Sequence, residues 1–530
     1  MPIYYRHWSN HMLRRAPLGR GVHDGTGLNA IRLGLLKGIN ATMTKFWIKA
    51  SAITLALSMP GVVAAQQSAA IQAAPITAAE RQQGTAATAD ITAEYGGAYQ
   101  GPQAQYAERV GRRIAVQSGL SSNPGAFNVT LLNSSVDNAF AIPGGYVYVT
   151  RNLLALMNDE AELAAVLGHE VGHVAARHSA KRQETATRNS ILGALGQLLV
   201  GSVAGNSGIG QLLTRGIGTG AQLATLSFSR SQETQADDLG VNYLAGAGYD
   251  PTALSTMLED LAAQNVLTQQ IAGASSALPA WASTHPDPAS RVRRAQQQAA
   301  KVSRPTRDRG RAPFLAAIDG MLYGDDPKQG VIDGRNFLYS PGRVAFSVPQ
   351  GFAIANGARV VTISGDGGQA QFSSASYNGD LPRYVTSVLS QLGNNSTSSD
   401  AVRQTQVNGI AAAYTTVRAQ SGQTEIDATV FAYAPTRDRA YHFLVIAPAG
   451  QGLGALEPLV ASFRNMTPVD AAAAKPRFLR VVAVRSGDTP ESLASRMAFP
   501  AYRIERFRVL NRLSPGQPLR PGDKIKIVTY

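Results

Sequence analysis

The residues best placed to do chemistry are His169, Glu170 and His173, an H-E-x-x-H pattern completed by Val171 and Gly172. On an α-helix, residues four apart are rotated by only about 40°, so both imidazoles would face one way. Two neutral imidazoles on one face are half of a tetrahedral Zn²⁺ site, and zinc held by three protein ligands keeps a fourth position for water. Glu170 would sit beside that water and could take its proton. The competing reading is a pair of core histidines bonded to their neighbours. A third ligand is what separates the two.

A second pair four apart, Glu233 and Asp237, follows in 229–240, close to Arg230. One carboxylate could bind metal while the other holds a ligating imidazole. Alternatively the two form a solvated acidic helix face. Together the segments resemble gluzincin zinc metallopeptidases, the family of the CAAX prenyl endopeptidase and of HtpX, Oma-type and BepA-like enzymes. That family's S-R-x-x-E-x-x-A-D pattern is matched at Ser229, Arg230, Glu233, Ala236 and Asp237. The resemblance implies that His169, His173 and Glu233 hold one Zn²⁺ per chain and that Glu170 activates the water. Asp237 and Arg230 would support the ligands from behind. It also gives a role to an N-A-F-x-x-P-G-G segment, in which Asn138, Ala139 and Phe140 would line a strand edge for an extended substrate. The alternative there is an ordinary buried hairpin. His285 lies in an H-P-x-x-x-x-R segment like the family's. It could cover the metal, donate to the oxyanion as a catalytic residue, or cap the next helix. His178 follows His173 by five residues, so helical extrapolation turns it off the ligand face and reads it as a helix-end residue.

These residues need elements to hold them. Asp159 with Glu162 three on predicts a capping box. Leu163, Val166, Leu167, Val171 and Val174 then recur at helical spacing, which predicts a buried helix. Strands are expected at 127–132 and 146–150, and a helix within 91–119. Residues 66–89, rich in Ala, Gln and Thr, read as a disordered start. Residues 190–229 carry only Arg215 as a charge and are broken by glycines. They predict a helical hairpin, with contact to membrane or unfolded substrate as the other reading.

The chain of 530 residues predicts several domains. A mainly α-helical zincin-type domain with a small β-sheet is expected at 77–300, and a linker or strap at 301–334. An α+β domain with an antiparallel sheet would occupy 335–466, with no catalytic constellation and a structural His442. After an Ala-rich linker, 479–530 resembles a small βααβ LysM module. Its V-x-S-G-D-T start begins at Val484, its second helix carries Val509-Leu510-Asn511, and its L-x-P-G-D-x-I-x-I end begins at Leu519. Separated in this way, the block reads as dispensable for peptide hydrolysis but needed for envelope retention. LysM modules imply binding of N-acetylglucosamine glycans such as peptidoglycan, although the basic helix with Arg503, Arg506, Arg508 and Arg512 departs from a neutral sugar groove.

The net charge of +14 lies at the ends, with eight Lys/Arg and one acid in 1–49 and twelve and four in 475–530. No groove-reading or base-stacking motif accompanies it, so nucleic acid is not expected, and a basic tail meeting an anionic wall polymer is. The absence of cysteine excludes disulfides, thiol nucleophiles and thiolate metal sites. Residues 43–65 have the basic start, apolar run and small-residue end of a signal peptide, with 1–42 as an upstream extension. The expectation is therefore an exported periplasmic zinc endopeptidase, membrane- or wall-associated. Its substrates would be proteins or peptides, chiefly misfolded envelope proteins. The alternative is an envelope chaperone or peptidoglycan-binding scaffold with little turnover.

Overall fold

The computed structural model describes residues 73–181, 228–272, 281, 284–302, 309–390, 396–399, 401–421 and 424–530. The leader read at 1–65 and the apolar 190–229 stretch, except its last two residues, lie outside them. Among the described residues no helix is long and apolar enough to cross a membrane.

The first region opens on α1 (Ala78–Glu94), where a disordered start was expected. Thr77 and Glu80 form a capping box, and Gly84, Ala87 and Ile91 turn a small-residue face onto a sheet. Packing decided this helix, since its composition carries little apolar periodicity. A Cβ at Gly84 would lie 2.3 Å from the Tyr146 ring, so only glycine lets α1 approach so closely. After α2 (Pro102–Ala115) come β1 (Asn128–Leu132), β2 (Ala139–Ile142) and β3 (Tyr146–Thr150). The sheet order is β1-β3-β2, with β1 parallel and β2 antiparallel to β3, so β2 is an edge.

Next are α3 (Arg151–Leu156) and α4 (Glu160–Ala175), which carries the H-E-x-x-H residues. Half of the expected capping box is present: Asp159 accepts from the Glu162 N–H at 3.0 Å. The Glu162 carboxylate instead takes the Asn158 N–H at 2.8 Å and the Arg309 guanidinium at 2.8 Å. Against α4 lies the Arg230–Ala247 helix, capped by Ser229 and Gln232. Helices Ala253–Ala272, Pro288–Lys301 and Arg311–Ile318 complete the region.

The middle region is rich in β-structure. An eight-stranded antiparallel sheet is packed on one side by the Leu381–Ser390 helix. Phe346, Phe372, Phe443, Phe463 and Tyr433 fill its other side. His442 lies 3.1 Å from the Ser373 hydroxyl and 2.8 Å from the Tyr384 hydroxyl, and burial pushes it down to about 4. Residues 466–475, read as a linker, hold the Pro468–Ala473 helix, capped by Thr467 and Asp470 and packed on Val331, Leu338 and Ala345.

At the C-terminal end, strand Arg477–Ala483, helices Pro490–Ala494 and Arg503–Asn511, and strand Lys524–Thr529 follow one another. The two strands pair antiparallel, and the first also pairs with Leu322–Tyr323, the strand that precedes the middle region. The module shares one core with the first region: Leu479, Phe507, Leu510, Ile525, Ile527 and Val528 join the cluster that holds Leu163 and Leu167. The expected separability therefore fails. Part of its basic helix faces inward as well, although Arg503 stays exposed. Arg512 bonds Asp260 and Glu162, Arg508 pairs with Glu491, and Arg506 lies over the Phe499 ring.

Candidate functional site

The close crossing of α4 and the Arg230–Ala247 helix makes the site. A Cβ at Gly172 would lie 3.2 Å from the Ala236 carbonyl, and one at Gly240 would lie 3.3 Å from His169 N. Small residues at these points let the two backbones approach, which brings Glu233 over the two histidines. The loop at 284–287 adds a third imidazole.

His169, His173, Glu233 and His285 each offer one ligand atom, all within 4.8 Å of one another, and all four residues are buried. His169 Nε2 lies 3.0 Å from His173 Nε2 and 3.3 Å from His285 Nδ1. Glu233 oxygens lie 3.6 Å from His169 Nε2, 3.5 Å from His173 Nε2 and 3.1 Å from His285 Nδ1. Two donors each about 2.0–2.1 Å from one tetrahedral ion stand about 3.3–3.4 Å apart, so this donor set fits a single zinc. The chemistry agrees, because imidazole nitrogens and a carboxylate oxygen are the ligand types zinc takes.

Two of these groups, His169 and Glu233, are held from behind. His169 Nδ1 lies 3.0 Å from Asp237 Oδ1, and Asp237 accepts from Arg291 Nε at 2.8 Å. Arg291 also pairs with Glu233 at 2.6 Å. Arg230, by contrast, is exposed at the first position of its helix, so the guanidinium that meets both carboxylates is that of Arg291. Burial works to raise the Asp237 and Glu233 carboxyls. Arg291 outweighs it at Asp237, and His285, His169 and Arg291 outweigh it at Glu233, so both sit below the usual carboxylate range.

Glu170 lies on the same helical turn, 1% exposed, and among the described residues its Oε1 has no hydrogen-bond partner. Burial pushes its carboxyl up, although His285 and His169 pull the other way. A buried carboxylate raised in this way, with one oxygen free of hydrogen bonds and facing a metal-type donor set, suits proton transfer.

His285 does not cap the next helix, whose cap residue is Asp287 at φ 59°. Its ring stacks on Trp281 at 4.1 Å, and its Nε2 stands 3.4 Å from Glu170 Oε1. Phe228 stacks on His173 at 3.8 Å. Asn138, Ala139 and Phe140 point their side chains into the protein: Asn138 Nδ2 donates to Tyr95 Oη at 3.0 Å, and Phe140 lies between Tyr95 and Tyr148. What faces outward from β2 is its edge, alongside α4.

His178 was misplaced by extrapolation. α4 ends at Ala175, and Arg177 takes a left-handed conformation, φ 54°. That reversal returns the chain and sets His178 Nδ1 2.9 Å from His173 Nδ1. No helical-wheel argument could find it, because the residue is outside the helix.

Comparison with known proteins matches this architecture. Residues 102–299 match peptidase family M48 and residues 482–528 match the LysM domain. The chain is 34% identical over 198 residues to the beta-barrel assembly-enhancing protease of Escherichia coli O157:H7, covering 37% of this chain and 38% of the relative. It is 33% identical over 210 residues to the mitochondrial metalloendopeptidase OMA1 of Schizosaccharomyces pombe, 39% of this chain and 57% of that protein. Identity to the metalloprotease LoiP of Escherichia coli K12 is 34% over 161 residues, 30% and 60% of the two chains. The matched stretch thus spans less than two thirds of each of these relatives. The span matched at 102–299 holds both α4 and the Arg230–Ala247 helix, and the chain carries a peptidase family M48 domain followed by a LysM domain.

Proposed function

We propose that the protein is an exported zinc-dependent endopeptidase that cleaves envelope proteins, with misfolded chains as its main substrates. The observation that carries this reading is the buried convergence of His169, His173 and Glu233 beside the buried carboxylate of Glu170. The first three would hold the zinc. When bound, zinc supplies Lewis acidity toward a peptide carbonyl and lowers the pKa of water. Glu170 takes the proton from the attacking water and passes it to the leaving amine. Asp237, itself held by Arg291, orients the His169 ring. The edge of β2 pairs with an extended substrate by backbone hydrogen bonds. His285 completes the donor set at rest, and it swings aside when a substrate enters.

The relatives' printed names, protease and metalloendopeptidase, support the chemistry, and that of the assembly-enhancing protease supports an envelope setting. Periplasmic location rests on the signal-like 43–65 segment. The LysM domain supports contact with peptidoglycan, through its exposed loops rather than through Arg506 and Arg512, which turn inward.

The test combines zinc analysis with casein hydrolysis for the parent and Glu170→Gln, with and without a chelator. About one zinc per chain and activity lost by at least about a hundredfold in both the variant and the chelated parent are expected. Undiminished activity in Glu170→Gln would sink the mechanism. A holdase activity that survives Glu170→Gln in a parent without turnover would favour the chaperone reading.

A further inference from the structure

His178 lies outside the donor set, yet it is 1% exposed and touches a proposed ligand. Its Nδ1 stands 2.9 Å from His173 Nδ1, and its Nε2 stands 2.8 Å from Gln235 Oε1. Gln235 belongs to the Arg230–Ala247 helix, between Glu233 and Asp237. Gln232 Nε2 reaches the His178 carbonyl at 3.5 Å, and Phe228 covers both rings, 3.8 Å from His173 and 6.0 Å from His178. The imidazole is thus held at both nitrogens and on one face.

We infer that Gln235 and His178 form a hydrogen-bond relay that fixes His173 in its metal-binding tautomer. The inference rests on the zinc reading above and extends it to two residues that reading does not use. Protons can be arranged along the chain in two ways. If the Gln235 oxygen accepts from His178 Nε2–H, His178 Nδ1 is a lone pair that accepts from His173 Nδ1–H. His173 Nε2 is then a lone pair aimed at the other donors. If the amide is reversed and donates, every proton shifts one place, and His173 Nε2–H points into the cluster, where it cannot bind a metal. Only the first arrangement suits the donor set.

His169 is treated differently, because its Nδ1 meets the carboxylate of Asp237 at 3.0 Å. One ligand is therefore backed by a charged acceptor and the other by a neutral relay ending on an amide. A neutral acceptor withdraws less proton density, so His173 is the weaker electron donor of the pair. His178 and Gln235 are positioning residues, acting only through His173.

The full-length chain tests this by zinc competition against a chromophoric chelator, with melting of the metal-free protein as control. His178→Phe keeps the ring's bulk and removes the relay. Zinc affinity should fall about 10–100-fold while the metal-free melting temperature stays near that of the parent. Gln235→Leu should weaken zinc severalfold, whereas Gln235→Glu, which still accepts from His178, should bind zinc at least as tightly as the parent. Parental affinity in His178→Phe, or equal affinities for the Leu and Glu variants, overturns the relay. If His178→Phe does not fold, the Gln235 pair decides. Nitrogen NMR of the parent reads the tautomer directly: a proton on His173 Nδ1 supports the relay, and one on Nε2 overturns it. If the parent binds no zinc, the metal reading fails, and the same NMR measurement still decides the relay.

Discussion

The two regions downstream of the peptidase domain differ in how they close their cores. The middle region buries Phe346, Phe372, Phe443 and Phe463 among its own strands, and its two larger clusters contain only residues between 332 and 463. The LysM domain has no core of its own among the described residues. Its Leu479, Phe507 and Ile527 belong to the cluster that surrounds α4. It also sends two cations inward. Lys526, fully buried, donates to the carbonyls of Ala155, Leu156 and Met157 at 2.8, 3.0 and 2.6 Å, while Arg512 bonds Asp260 and Glu162. Those carbonyls end α3, and Glu162 sits in the first turn of α4. The lesson is that sequence separation does not mean independence. The larger middle region closes on itself, and the smaller LysM module is part of the M48 domain's packing.

Deleting 477–530 should have the largest effect. Eleven buried apolar residues leave the shared core, ten of them larger than alanine, and at about 1.5–3 kcal/mol for each of the ten their loss exceeds the about 5–15 kcal/mol that stabilises a whole domain. The truncated chain should fail to show cooperative melting or to retain zinc. Replacing 335–466 with a flexible linker of about twenty residues, which reaches about 25 Å, should leave both intact. Equal damage from the two deletions would erase the contrast.

Lys526→Met comes next. Burial pushes the Lys526 ammonium down to about 7, against the pull of Asp260 and Glu162, yet its three bonds satisfy carbonyls with little access to water. Losing them should cost about 3–5 kcal/mol in urea unfolding of the full chain. Arg512→Met should cost less, about 2–3 kcal/mol, because Glu162 keeps Arg309.

The smallest effect belongs to the connector on the middle region's side. Asp470 is held below the usual carboxylate range first by its bonds to Arg464, with burial opposing and the Thr467 N–H adding. Asp470→Ala should cost about 1 kcal/mol at neutral pH. The contribution is complete above the unfolded value of about 3.9 and fades as pH falls from there through the folded value. Urea titrations of parent and variant should therefore differ less at about pH 2 than at about pH 7. The peptidase core should not respond at all.

Much of this was legible from residue types alone. Spacing of four at His169/His173 and at Glu233/Asp237 puts each pair on one helix face whatever surrounds it, because 3.6 residues per turn is a local property. The strand runs of the middle region and the LysM pattern were readable for the same reason, since alternation and turn residues act over a few positions. What depended on distant chain was not readable. α1 forms because a sheet some fifty residues away accepts its glycine face. The guanidinium at the carboxylates comes from Arg291 rather than the nearer Arg230, because a separate helix delivers it. His178 returns to His173 through one left-handed residue, Arg177, which no periodicity encodes. The sequence by itself determined the donor types and the faces they share. Tertiary structure decided which groups stand behind them and which module closes the core, because both depend on contacts between residues up to about 370 positions apart, as between Lys526 and Ala155.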